Sequence, residues 1–319
     1  MSSLRGAVLV AALAVLSTAG CGDDGGGAGA VGDVGVEPGS GDTLVYALAG
    51  RARELDPLLA RTRSEQVVTR QVHEPLVETL TGPFGQVRGQ RGLARSWRPS
   101  GDREIWRFEL RRRVHFQDGT PFNASAVLVN AERWRTRAPG RALLPELVAA
   151  DAPRPDLVRF ILSQPVGDLP RRLASPRLGI VSPAALRPQS GRAAELVRTD
   201  RSGTGPFELR ERERERIVIA RNVAWWGIRL DLGPALDQVE FRVVPTDPER
   251  LGLLRGGTAQ VADSLPRVAV GEIRRDPLIT FLTGGGGDVL GLERSVRGLE
   301  SPSAIEPLSE VWLTSVGAE

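Results

Sequence analysis

The sequence predicts an α/β domain built on a mixed sheet, and three observations predict it. Short apolar runs of strand length recur along the chain, and Ile105–Leu110 (IWRFEL) alternates with the period of two expected of a half-buried strand. Other windows carry the period and end signals of helices, such as Asn123 ahead of Val127, Leu128, Ala131 and Trp134 on one face. The two kinds of segment interleave rather than separating into halves, which is the order of an α/β fold. With 319 residues the chain suffices for one large domain or two small ones, and 41% hydrophobic with 25% charged residues is ordinary for a globular protein.

The chain begins outside that fold. Met1–Arg5 carries one positive charge, Gly6–Leu16 is an unbroken run of small and aliphatic residues, and Ser17–Gly20 leads to Cys21. A basic start, an apolar centre and a small-residue exit are the parts of a secretory signal peptide, placed here at residues 1–20. The apolar run is too short to cross a hydrocarbon core of ~30 Å. Cys21 is the only cysteine, so no intrachain disulfide can form. Its place directly after Ala19-Gly20 resembles the lipobox of bacterial lipoproteins, although Thr18 stands where that motif prefers Leu. The resemblance implies a lipidated Cys21 as the mature N-terminus and a membrane partner reached through acyl chains; the alternative is a plain signal peptide with an incidental Cys. Residues 21–41 are Gly-rich and cannot bury a core, so they are expected to form a flexible tether. Loss of the leader removes Arg5 and no acid, leaving too little positive charge to hold anionic lipid, so attachment would fall to the acyl chains.

The folded part is expected over residues 42–319. Leu44–Ala49 (LVYALA) reads as a buried strand. Ser64 is expected to open a helix through His73, with Glu65 in its first turn and Pro75 ending it. Asp118-Gly119 is a turn signal, and Asn123 caps a helix to about Arg135. Leu157–Leu162 (LVRFIL) is a further strand. Phe207–Arg221 reads as a hairpin, and its run Arg210–Arg216 (RERERER) is expected to be a solvated ladder of opposite charges with no binding role. Val239–Val244 is a strand. Thr246 with Glu249 predicts a capping box, with Pro248 in the first turn of a helix ending at Arg255 before Gly256-Gly257. Gln260–Ala262 returns as a strand.

Composition and motif content remove several classes of function. All 42 basic residues are Arg, 39 acids nearly cancel them, and they are spread along the chain, so no nucleic-acid partner is expected. His73 and His115 stand far apart without cysteines, too few ligands for zinc, and no cofactor is expected. No Gly-x-Ser-x-Gly elbow is present to present a nucleophile. The Gly-x-Gly pairs at Gly203–Gly205 and Gly284–Gly286 lack the strand-to-helix setting of a phosphate site, so an enzyme is not expected.

Several segments form an ordered series. Leu44–Leu59 (LVYALAGRARELDPLL) is followed by His73–Val77 (HEPLV), then by Leu93–Trp97 (LARSW) and Trp106–Phe122 (WRFELRRRVHFQDGTPF). Gly203–Phe207 (GTGPF), Arg221–Gly227 (RNVAWWG), Pro234–Phe241 (PALDQVEF), Arg255–Gly257 and Val261–Asp263 continue it. In this order, over about Leu44 to Leu292, they resemble the family 5 extracellular solute-binding proteins, the peptide and nickel receptors of ABC importers. The resemblance implies the mixed-sheet first lobe of a type II periplasmic-binding-protein-like fold, and a periplasmic or cell-surface receptor working with an ABC permease. Val289–Glu293 is similar to the segment that leads into the family's second lobe, whereas Val296–Leu313 is similar to the family's extreme C-terminus. The second lobe is therefore expected to be largely absent, with residues 263–295 a truncated crossover, Gly284–Gly287 near the junction and residues 296–319 a return to the first lobe.

Two readings of function stay open. One is a receptor for a peptide or similar small solute; the other is a one-lobed scaffold or interaction lipoprotein that has lost solute capture. Ligands in open α/β sheets bind beyond the carboxyl ends of the strands, and the resemblance implies the same loop after the first strand. Arg51 would meet a carboxylate and Glu54 an amine, with Leu55 beside them, and Thr204 and Gly205 are further candidates. The plainer alternative makes Arg51 and Glu54 solvated surface charges. Trp97, Trp106, Trp225 and Trp226 are expected to be packing residues rather than ligand platforms. Gly203 and Gly205 are expected to supply backbone angles closed to other residues.

Overall fold

The computed structural model describes residues 43–81, 87–187, 201–230, 234, 236–266, 279–283 and 289–293. The expected leader, Cys21, the tether, the Gly284–Gly287 run and the C-terminal return lie outside the described residues.

The chain enters the fold through strand β1 (Thr43–Leu48), whose Leu44, Tyr46, Ala47 and Leu48 are buried. Helix α1 (Arg63–Val72) follows, and it starts earlier than the Ser64 expected from sequence. Its cap is Thr62, whose hydroxyl accepts from the Glu65 amide (3.2 Å) while the Glu65 carboxylate accepts from the Thr62 amide (3.0 Å), a complete capping box. Strands β2 (Val77–Thr81) and β3 (Val87–Arg91) then form a two-stranded antiparallel ribbon that the sequence pattern did not announce.

Next comes a four-stranded antiparallel sheet from β4 (Ala94–Pro99), β5 (Ile105–Leu110), β6 (Leu147–Arg154) and β7 (Leu157–Leu162), in the order β4-β5-β7-β6. In β5 and β7 every second residue is buried, as period two predicts. Phe108 and Phe160, diagonal neighbours on adjacent strands, meet edge to face at 5.4 Å. Helix α2 (Ala124–Thr136), capped by Asn123 as expected, covers this face with Val127, Ala131 and Trp134. Short helices α3 (Ala138–Leu143) and α4 (Leu169–Leu173) border the same core. Trp106 is buried within it, and Trp97 and Trp226 pack against it part-buried. Trp225 is also buried, so all four named tryptophans pack, as expected.

The larger sheet has seven strands in the order β12-β13-β11-β1-β10-β9-β8, using β8 (Phe207–Arg212), β9 (Arg216–Arg221), β10 (Gln238–Val243), β11 (Val261–Leu265), β12 (Ile279–Thr283) and β13 (Val289–Glu293). Strand β1 runs parallel to β10 and β11, and the other pairings are antiparallel, which makes the sheet mixed as predicted. Helix α1 covers one face, where Val68 and Val72 join Tyr46, Phe241, Ile217 and Ile219. Helix α5 (Asp247–Arg255) covers the other, where Leu251 and Leu254 join Ala47 and Ala262.

Two expectations need correction. Thr246 is the N-cap of α5, but no capping box forms: its hydroxyl donates to the Glu249 carboxylate (2.7 Å) rather than accepting from the helix amides. Gly203 and Gly205 are not in the left-handed region. A Cβ on Gly203 would lie 1.8 Å from the Val72 carbonyl oxygen, and one on Gly205 2.6 Å from that of Gln71. Close approach to the end of α1, not backbone freedom, excludes a side chain at both positions.

Candidate functional site

The parallel strands fix where a site can be. Chain leaving β1 goes to α1 on one face, and chain leaving the neighbouring strand β10 goes to α5 on the other. Connections that part to opposite faces leave a crevice beyond the carboxyl ends of the two strands, where ligands of open α/β sheets bind. Arg250, only 1% exposed, braces this end of the sheet. Its guanidinium donates to the carbonyls of Val244 (2.7 Å), Asp263 (3.1 Å) and Ser264 (3.1 Å) and pairs with Asp247. The buried Asp263 carboxylate accepts from the Ala49 amide (2.8 Å), tying β11 to the first residue after β1.

The loop from Ala49 to Leu55 leaves β1 at this crevice, and the tip of the β8–β9 hairpin stands at the same end. The hairpin is there because Arg216 at the start of β9 lies opposite Arg242 near the end of β10. Arg51 and Glu215 form an ion pair at 2.6 Å, with side chains 29% and 60% exposed. Arg212 donates to the Arg53 carbonyl (2.6 Å). Between loop and hairpin opens a cleft of about 370 Å3 lined by Arg51, Ala52, Arg53, Arg212, Glu213 and Arg214.

The five residues expected from sequence do not converge. Arg51 lines the cleft, already paired with Glu215. Glu54 serves its own loop: its carboxylate accepts from the Asp56 amide (2.8 Å), and its amide donates to Glu65 (3.1 Å). Leu55 is 4% exposed and belongs to the core beneath α1. Thr204 and Gly205 are buried against the end of α1, where the Gly205 amide donates to the Val72 carbonyl (2.9 Å). What sequence missed is Arg53 together with Arg212, Glu213 and Arg214, the middle of the run read as a solvated ladder. That run crosses the end of β8, the turn and the start of β9.

A second polar cluster lies inside the molecule, between the end of α1 and the loop after β9. Both oxygens of the Glu74 carboxylate accept from the Trp226 indole N–H, at 2.9 and 2.8 Å, and Arg111 lies 4.0 Å over the Trp226 ring. Burial pushes Glu74 up to about 8, against the downward pull of the hydrogen bond from Trp226, and nearby Glu78 adds to the rise. Glu78 itself pairs with buried Arg70 at 2.9 Å. Neighbouring His73 is pushed down to about 4 by burial. Its Nδ1 faces the Thr69 carbonyl (3.3 Å), which can only accept, so Nδ1 carries the proton and Nε2 accepts from the Ser202 hydroxyl (2.9 Å). None of these groups lines the cleft.

Comparison with known proteins gives a consistent set. The profile of the "Bacterial extracellular solute-binding proteins, family 5 Middle" matches residues 90–304. The probable D,D-dipeptide-binding periplasmic protein DdpA of Escherichia coli K12 is 30% identical over 229 residues, covering 70% of this chain and 44% of that protein. The glutathione-binding protein GsiB of the same strain is 29% identical over 227 residues, covering 70% and 42%. Among solved structures, the ABC transporter-associated periplasmic binding protein DppA of Helicobacter pylori, in complex with the peptide STSA, superposes with a TM-score of 0.65. It is 24% identical, and the match covers 77% of this chain and 51% of that one. The chain thus spans about half the length of the relatives it matches.

Proposed function

The chain belongs to the bacterial extracellular solute-binding proteins of family 5, and on that footing we propose that it is an exported receptor that captures a solute for an ABC importer. The family is one of binding proteins rather than enzymes, and the relatives are periplasmic or extracellular. A peptide is the solute class that the relatives' names favour. The observation that carries the reading is the open cleft at the switch point between β1 and β10, floored by the loop after the first strand. Arg51 is the residue placed to exchange its bond to Glu215 for a ligand carboxylate. Residues 1–20 act as the leader, Cys21 as the site of lipid attachment and residues 22–41 as the tether that holds the receptor at the membrane surface. Replacing Cys21 with Ser should move the protein from the membrane fraction to the soluble exported fraction; an unchanged membrane fraction would remove the anchor from the account.

The test of capture is a thermal-shift screen of the full chain against pooled peptides, nickel complexes and sugars. A binder at 100 times its Kd adds about 2.7 kcal/mol, a visible shift. The expected result is a saturable shift that Arg51→Ala weakens. A second reading, a lipoprotein that docks another protein instead of a solute, is favoured by one observation: Arg51 and Glu54 already have partners within the chain. A folded chain that no pool shifts would select that reading.

A further inference from the structure

The run Arg210–Arg216 is sorted by a bulge in β8 between Leu209 and Glu211. Before the bulge Leu209 lies opposite Ile219; after it Glu211 lies opposite Val218 and Arg212 opposite Ile217. Ile217 and Ile219 belong to the core under α1. Arg212 therefore takes the face that unbroken alternation would give to Glu211, because a slip of one residue exchanges the two faces of a strand. Glu211 goes to the opposite face, where Arg216 pairs with it and with Glu240 (3.2 Å), and Arg242 also holds Glu240. Glu211 is thus drawn into that network and Glu215 onto Arg51, which leaves Arg212 and Arg214 on the cleft with Glu213.

Arg51, Arg53, Arg212 and Arg214 line the cleft with one carboxylate, Glu213. Even with Glu215 counted, guanidinium groups outnumber carboxylates by two. Among the described residues Arg53 forms no ion pair, and Arg214 makes no direct salt bridge but its charge helps hold Glu215 down. Guanidinium forks match carboxylate and phosphate oxygens two at a time, and a cleft of about 370 Å3 has the volume of a small-molecule site. We propose that this cleft takes a solute bearing two or more anionic groups, carboxylates or phosphates, and that Arg212 and Arg214 set the preference. This rests on the reading of the cleft as the solute site and narrows it.

The test is calorimetric titration of the full chain with citrate, with pyrophosphate and with the uncharged peptide N-acetyl-trialanine amide, at low and at physiological salt. Saturable binding of citrate or pyrophosphate is expected, and the one that binds more tightly identifies the anionic group. The double variant Arg212→Gln, Arg214→Gln should weaken that binding about tenfold or more. Added salt should weaken it too, a readout independent of any variant. Arg210→Gln should leave it unchanged, since Arg210 pairs with Glu208 at 2.6 Å and does not line the cleft. Equal losses in Arg210→Gln and the double variant would mean diffuse attraction and overturn the proposal. Binding of the neutral peptide alone would overturn the anionic preference while leaving the solute site standing. Binding of none of the three would overturn the proposal and leave the receptor reading to the wider screen.

Discussion

Glu74 and His73 are consecutive, both 1% exposed, and shifted in opposite directions by the same cause. Between its ordinary 4.5 and about 8, Glu74 keeps in the folded chain a proton that the unfolded chain has released, so its contribution to stability falls as pH rises. Between about 4 and 6.5 the unfolded chain protonates His73 and the folded chain does not, so that contribution rises with pH. The slopes oppose each other where the windows overlap, and from 6.5 to about 8 Glu74 acts alone, at up to ~1.4 kcal/mol per pH unit. The urea midpoint should therefore stay nearly level between pH 4.5 and 6.5 and fall above it. Glu74→Gln should abolish the fall and uncover the His73 loss on acidification; a variant whose midpoint follows the parent at every pH would contradict the assignment. Nothing near Glu74 in the sequence foretells this pair of shifts. Its indole partner stands 152 positions away, and only the packing of the β9 loop against the end of α1 brings them together.

At the scale of elements, two helices begin with the same Thr-x-x-Glu spelling and end differently. Thr62 and Glu65 exchange both hydrogen bonds of a capping box, whereas Thr246 and Glu249 bond only to each other. Thr62→Ala should therefore cost about 1 kcal/mol in urea unfolding, and Thr246→Ala under ~0.5 kcal/mol. Equal losses would mean that the two caps do the same work after all. The contrast marks what local sequence can convey. Strand β1 was legible because both its faces are buried and its apolar run is unbroken, β5, β7 and β10 because their apolar residues alternate toward one core, and α2 because Asn123 and an apolar stripe agree. The ribbon β2–β3 and the strands β4 and β6 were not read as strands. β4 and β6 lie at the edges of their sheet, with several residues open to solvent, so they carry little alternation. The bulge in β8 is the least legible feature of all. An alternating Arg-Glu run looks identical in either register, and the sheet decides which charge faces the cleft.

At the scale of the molecule, family and fold were legible together, since the segments that carried the resemblance are the ones that build the sheets. Gly203–Phe207 brings β8 against the end of α1, and Asp118-Gly119 turns the chain ahead of α2. The candidate site was legible only as an address. The rule for α/β crevices pointed to the loop after β1, and the cleft is there, but three of its six lining residues come from a hairpin more than a hundred positions away. Arg250 and Asp263 make this end of the sheet stiff, while the cleft residues sit on a loop and a turn. A ligand should thus be registered where the backbone is least braced. The most direct test is hydrogen exchange on the full chain with and without a saturating solute from the screen. Protection confined to Ala49–Leu55 and Arg212–Arg216 is the predicted result; protection centred on the four-stranded sheet, with those two segments unchanged, would contradict the placement of the site.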